Sequence, residues 1–363
     1  MDDTLSAAPL DDPRAACRVI DCDVHPAVPS VEVLTPYLSA YWREQIRQSG
    51  FKGPIDSAYP LSAATSARPD VPAAHSGSVA EQLSALRTHV LVSQQVVYGI
   101  LNCAYAVDSL HNPDAAAALA SAINDWLAAE WLASEPRLRA ALVVPSQYPE
   151  LAAREIERCG GHSGFVQVLL PVRSAAPYGN RRFHPLFAAA ARHDLVVGIH
   201  FGGAPGNPPT PVGWPSFYLE EYAGMASVFQ SQVLSLISEG LFDQFPTLRV
   251  VLIESGCTWL PSLMWRFDKE WKGLRREVPW VRRPPSDYIR EHVRLTLQPF
   301  DAPPDPDHLL RLVDRLGSEE MLLFATDYPH WHGDSPEPVL PAMPTEALAR
   351  KIMYDNACAL YRL

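Results

Sequence analysis

The chain has no long Lys/Arg tract, and its 30 basic residues are outnumbered by 41 acidic ones. A formal charge of −11 argues against nucleic acid or an anionic membrane as partner, since both select for clustered positive charge. No apolar run approaches the roughly 20 residues a membrane-spanning helix needs. The acidic opening Met1-Asp2-Asp3 lacks a secretory signal core. The six cysteines, at 17, 22, 103, 159, 257 and 358, include no C-x-x-C pair. Reduced, buried thiols in a cytoplasmic protein are therefore expected rather than a disulfide frame. There is no G-x-S-x-G elbow and no phosphate-cradling G-x-x-x-x-G-K-S/T loop, which argues against acyl-serine chemistry and nucleotide hydrolysis. No G-x-G-x-x-G follows a strand, so a doubly wound dinucleotide fold has no support.

What is present is apolar. Of 363 residues, 47% are hydrophobic, enough for a large core in one domain. Apolar, β-branched runs recur at 19–23, 96–101, 140–144, 165–170, 195–200, 250–254, 293–298 and 321–326, separated by stretches of helical periodicity. Helices are expected at 31–48, 79–92, 114–134, 149–159 and 185–192. Eight strand–helix repeats predict an α/β protein, a (β/α)8 TIM barrel with long βα loops, over 18–363, preceded by a tail, 1–17. The expected long loops are 50–78, 201–222 and 268–287. The first reads as a surface excursion. The second carries Trp214, Phe217, Tyr218 and Tyr222 and is expected to wall a pocket.

Three of the runs carry metal-ligand chemistry. Asp23 and His25 alternate on one strand and so point the same way. His200 closes the run 195–200, and Asp327 follows the run 321–326. Oxygen and nitrogen donors at the C-terminal ends of barrel strands are the arrangement of a metalloenzyme. The alternatives are a satisfied core histidine at 200 and a helix cap at 327.

Assembled as Asp23-Val24-His25-Pro26, Ile199-His200-Phe201-Gly202-Gly203 and Phe324-Ala325-Thr326-Asp327-Tyr328-Pro329-His330, these motifs resemble the amidohydrolase-related family. This is the branch that includes aminocarboxymuconate-semialdehyde and resorcylate decarboxylases. Residues 248–267 and 356–361 support the resemblance, which extends from about Arg18 onward. It implies an eight-stranded barrel, one divalent metal held by Asp23, His25, His200 and Asp327, and decarboxylation, hydrolysis or hydration of a small molecule. Two positions depart from relatives. Glu254 stands where many carry a histidine at the end of the sixth strand, and Val168-Leu169-Leu170 offers no lysine for a second metal. One ion is expected, zinc or alternatively manganese.

Glu254 has two readings: a salt bridge to Arg294 or Arg266, or proton transfer beside the metal. Asp327 and His330 are further acid–base candidates. Arg173 could pair with a substrate carboxylate through its fork of donors, and Trp214, Tyr218 and Gln298 are candidate substrate contacts. The expected activity is that of a carboxy-lyase on a small, aromatic or unsaturated acid. The alternatives are a metal hydrolase of esters, lactones or amides, and a non-catalytic binding barrel. A homodimer is expected, with 268–287 and its tryptophans near the neighbouring subunit.

Overall fold

The structure, a computed structural model, describes residues 18–54, 68, 70–203, 208, 210, 212–301, 305–330, 343 and 345–363. The expected tail, 1–17, lies outside these. Eight strands follow one another in space as in sequence: β1 Val19–Val24, β2 Val96–Leu101, β3 Leu138–Val143, β4 Phe165–Arg173, β5 Val196–Gly203, β6 Val250–Ile253, β7 Val293–Thr296 and β8 Leu322–Leu323. Each pairs in parallel with the next. The chain beyond β8 closes the ring onto β1. Cys22 N donates to Phe324 O at 3.0 Å, Asp327 N to Asp23 O at 3.1 Å and His25 N to Tyr328 O at 2.7 Å. The (β/α)8 barrel of the sequence reading is the fold.

Alternation builds the two layers of the core. Ile20, Ile100, Ala141, Leu169, Val196, Val251 and Leu323 form one buried cluster. A cluster that takes a residue from each of seven strands can only fill the barrel interior. Their neighbours Val19, Ala140, Leu142, Val250 and Leu252 belong to the larger cluster between strands and helices.

Some expected boundaries move. β5 continues past His200 to Gly203, so His200 sits inside the strand. β6 ends at Ile253, and β7 ends at Thr296, leaving Gln298 in the following turn. The expected helix 31–48 is two pieces, because Pro36 stands in a 3-10 stretch, Val31–Tyr37, and Ser39 then caps a new helix, Ala40–Ser49. Region 268–287 is a loop only over 275–284. Its first part lies in the helix Leu260–Leu274 and its last in the helix Pro285–His292. Its tryptophans are bound to their own chain: Trp271 Nε1 donates to Val281 O at 3.2 Å and Trp280 Nε1 to Ser238 O at 2.7 Å. Trp271 and Trp280 are thus partly buried against their own chain rather than standing exposed. No helix among the described residues is long and apolar enough to cross a membrane.

Candidate active site

At the C-terminal mouth of the barrel, Asp23 at the end of β1, His25 just beyond it, His200 of β5 and Glu254 after β6 bring one donor atom each within 4.8 Å of one another. His25, Glu254, Asp327 and His330 form a second, overlapping group. The spacings are short. His25 Nε2 stands 3.1 Å from Asp23 Oδ1, 2.9 Å from Asp327 Oδ1 and 3.6 Å from Glu254 Oε1. His200 Nε2 stands 3.0 Å from Glu254 Oε1 and 3.6 Å from Asp23 Oδ2. Glu254 is thus drawn to the two imidazoles. Arg294 lies elsewhere, bonded to backbone carbonyls of 290 and 293 and facing Glu320.

Backbone conformation aims two of the carboxylates. Glu254 and Asp327 have φ of +58° and +57°, a left-handed conformation that costs a side-chain-bearing residue about 1–2 kcal/mol. Neighbouring strands hold both in place. Glu254 N donates to Thr296 Oγ1 at 3.1 Å, and Asp327 N to the Asp23 carbonyl.

Hydrogen bonds fix the tautomers of the imidazoles. His25 Nδ1 donates to Asn102 O at 2.9 Å and His200 Nδ1 to Phe201 O at 2.7 Å. A carbonyl only accepts, so each neutral ring turns the lone pair of Nε2 toward the cluster. Asp23 Oδ2, His25 Nε2, His200 Nε2 and Glu254 Oε1 are buried and make no hydrogen bond. With both rings neutral, these four buried atoms converge without a donor among them, which is costly unless protons or a cation join them. These residues fit a divalent ion.

The electrostatics agree. Burial alone would raise the Asp23 carboxyl, but His25 and His200 hold it well below the usual range. Burial would likewise depress the imidazoles, yet Asp23 and its fellow carboxylates push His25 well up, and Glu254 and Asp23 raise His200 to about 10. The cluster calls for positive charge, as protons or as a metal.

A buried chain of amides supports it. Asn102 Nδ2 donates to Asp23 Oδ1 at 2.9 Å, Gln167 Nε2 to Asn102 Oδ1 at 2.8 Å, and Tyr361 OH to Gln167 Oε1 at 2.8 Å. Asp21 accepts from Thr326 N at 3.0 Å and Thr326 Oγ1 at 2.6 Å, tying β1 to the segment that carries Asp327. Burial raises Asp21 to about 7. The sequence reading missed these residues. Asn102 was the findable one, a polar residue directly after an apolar strand.

A cavity of about 450 Å³ opens over the cluster, a size suited to a small molecule. Arg173 and Tyr218 line it, as do Tyr222, Tyr105 and His330. Arg173 faces Glu221 at 3.4 Å, both buried. His330 Nδ1 stands 2.6 Å from Asp327 Oδ1. Trp214, half exposed, and Gln298 are not among the described lining residues.

Residues 20–363 match the family model described as amidohydrolase. A gamma-resorcylate decarboxylase from Polaromonas sp. strain JS666 is 30% identical over 276 residues, covering 71% of this chain and 80% of that one. Two solved structures share the fold over 95% of this chain and 97% of their own. One is the 5-carboxyvanillate decarboxylase of Novosphingobium aromaticivorans with bound manganese, at a TM-score of 0.70 and 20% identity. The other is the dihydroxybenzoic acid decarboxylase of Polaromonas sp. JS666, with manganese and 2-nitroresorcinol, at 0.62 and 23%. With its barrel, its ring of donors and a family match over nearly the whole chain, this protein belongs to the amidohydrolase family.

Proposed function

We propose that this protein is a metal-dependent, non-oxidative decarboxylase of a small aromatic acid that bears an oxygen substituent beside the carboxylate. The observation that carries the reading is the set of buried donor atoms at the barrel mouth that find no hydrogen bond. Relatives that decarboxylate hydroxylated benzoates supply the chemistry. Asp23, His25, His200 and Asp327 would hold the ion. Manganese suits the oxygen-rich donor set and is the metal of two structural neighbours. Bound there, it supplies positive charge to the substrate carboxylate and its neighbouring oxygen.

The chain's own residues do the rest. Arg173 and Tyr218 face the ring across the cavity, and the Glu221 contact holds the guanidinium in place. As the bond to the carboxylate carbon breaks, its electron pair stays on the ring carbon, carbon dioxide leaves, and a proton must arrive at that carbon. The His330–Asp327 pair is placed to deliver it, since His330 is partly exposed and can reload from solvent. We place the enzyme in the cytoplasm as a homodimer. Free thiols support the location, with four of the five described cysteines buried, and the exposed Trp265 offers an apolar contact for a second copy.

The test is carbon dioxide release from a panel of ortho-hydroxybenzoates by Mn²⁺-loaded protein, run beside lactones and aryl esters. Stoichiometric phenol and carbon dioxide are expected. Hydrolysis of the esters or lactones without carbon dioxide would overturn the reading in favour of a hydrolase. Light scattering should give twice the chain mass.

A further inference from the structure

Glu254 is placed like a ligand and unlike a partner to one. Two donors bonded to one ion at about 2.1 Å stand about 3.0 Å apart when at right angles and about 3.4 Å apart at the tetrahedral angle. Glu254 Oε1 lies 3.0 Å from His200 Nε2 and 3.6 Å from His25 Nε2. Asp23 and Asp327 oxygens lie 2.9 to 3.6 Å from the same two nitrogens. We infer that Glu254 is a direct ligand of the site's divalent ion, which makes the donor set two imidazoles and three carboxylates.

Three further observations bear on this. Because both Nδ1 atoms are committed to carbonyls, each ring presents Nε2 to Glu254, and a ring that binds an ion through Nε2 has no hydrogen left to give it. Among the described residues, its ion-pair partners are these two histidines, so no Lys or Arg neutralises it. Its oxygen is buried and without a hydrogen bond, a position that is costly for a carboxylate lacking a bound cation. An oxygen that only orients a metal-bound water would stand a water's width further from the ion, roughly 4 Å away, and would find its hydrogen on that water. The strained backbone at Glu254, pinned by Thr296, brings the carboxylate in to the shorter distance.

A third carboxylate hardens the set, favouring manganese over zinc more than Asp23, His25, His200 and Asp327 would alone. It also leaves proton delivery to His330 and Asp327. The inference rests on the metal-dependent reading above, but its test needs no turnover. Chelator-stripped wild type and Glu254→Gln are titrated with Mn²⁺ and then Zn²⁺ by calorimetry. Loss of a residue outside the coordination sphere typically weakens a metal 10–100-fold, so a loss beyond about 100-fold for Mn²⁺ and a smaller one for Zn²⁺ are expected. The Co²⁺-loaded variant should show a changed visible spectrum. In crystals of Mn²⁺-loaded wild type, a Glu254 oxygen should lie about 2.1 Å from the ion. That measurement decides the matter even where the variant folds poorly. Wild type that binds Mn²⁺ with Glu254 more than about 3 Å away, or a variant binding Mn²⁺ as tightly, overturns the ligand assignment alone. Wild type that binds neither metal overturns the decarboxylase reading as well.

Discussion

Glu155 and Glu254 are both buried glutamates, 6% and 7% exposed, and they differ in everything else. Glu155 lies in the outer layer, on the helix Pro149–Cys159. It accepts from Asn124 Nδ2 at 2.7 Å, Ser121 Oγ at 2.6 Å and two nitrogens of Arg158 at 2.7 and 2.9 Å. Asn124 in turn holds both the N–H and the carbonyl of Val143 on β3. Every group there is matched, and the cluster fastens helix to strand. Glu254, at the mouth, meets imidazole lone pairs and other carboxylates. Burial is the same in both; satisfaction is not. A buried polar group with all its partners is architecture, whereas one held in place without them is reserved for something that arrives later.

The largest expected effect comes from breaking the mouth. His200→Ala removes one imidazole from the cluster, and decarboxylation should fall at least about 1000-fold, roughly 4 kcal/mol of lost transition-state stabilisation. Metal content should fall with it while the far-ultraviolet circular dichroism stays unchanged. Should the barrel unfold instead, the mouth would be architecture after all.

A pH scan sharpens the same contrast. Burial opposes charge on His200, but Glu254 and Asp23 raise it to about 10. A raised imidazole pKa contributes stability fully below the unfolded value, about 6.5, and that contribution is lost as pH rises through about 10. Metal-stripped protein should therefore lose several degrees of Tm between pH 6.5 and 10, measured by calorimetry. Mn²⁺-loaded protein should lose less, since the ion takes over the compensating charge. Parallel slopes for the two forms would show that the histidines do not titrate in the stripped site.

The repeat of eight strands was legible because burial on both faces writes near-continuous apolar runs, such as Val250 to Ile253. Asp23, His25, His200 and Asp327 were legible because they sit beside those runs. Pattern says less about where a strand stops. Glu254 reads as the sixth strand's last residue, yet its φ of +58° places it outside the strand and against the imidazoles, a geometry no local propensity announces. The tryptophans of 268–287 read as an exposed loop because the partners of Trp271 and Trp280 are backbone carbonyls, which leave no trace in residue type. The amide chain behind Asp23 was hidden for a related reason. Its links join residues 79, 65 and 194 positions apart, so only the closed barrel brings them together.

The architectural member of the pair makes a middle-sized prediction. Glu155→Ala leaves Asn124 without one acceptor and frees Arg158, which is exposed enough to rehydrate. The cost should be about 2 kcal/mol, read as a lower urea midpoint in metal-stripped protein. Turnover per folded molecule and Mn²⁺ affinity should stay near wild type. A loss of turnover without a loss of stability would mean that the two clusters communicate.

The smallest effect tests where architecture ends and the site begins. Tyr361 is buried, and burial pushes its hydroxyl well above the usual range, so it remains a donor to Gln167 at any working pH. Tyr361→Phe keeps the ring and removes that one donor, leaving Gln167 Oε1 with an unmet lone pair and costing about 1 kcal/mol of stability. Gln167 Nε2 still reaches Asn102, and Asn102 still reaches Asp23, so the carboxylate keeps its orientation. Mn²⁺ affinity should then stay within about threefold of wild type, below the 10–100-fold that loss of an immediate ligand-orienting partner costs. A tenfold loss in Tyr361→Phe would show that the amide chain acts as one unit, extending the site from the mouth of the barrel to the C-terminal helix Asn356–Tyr361.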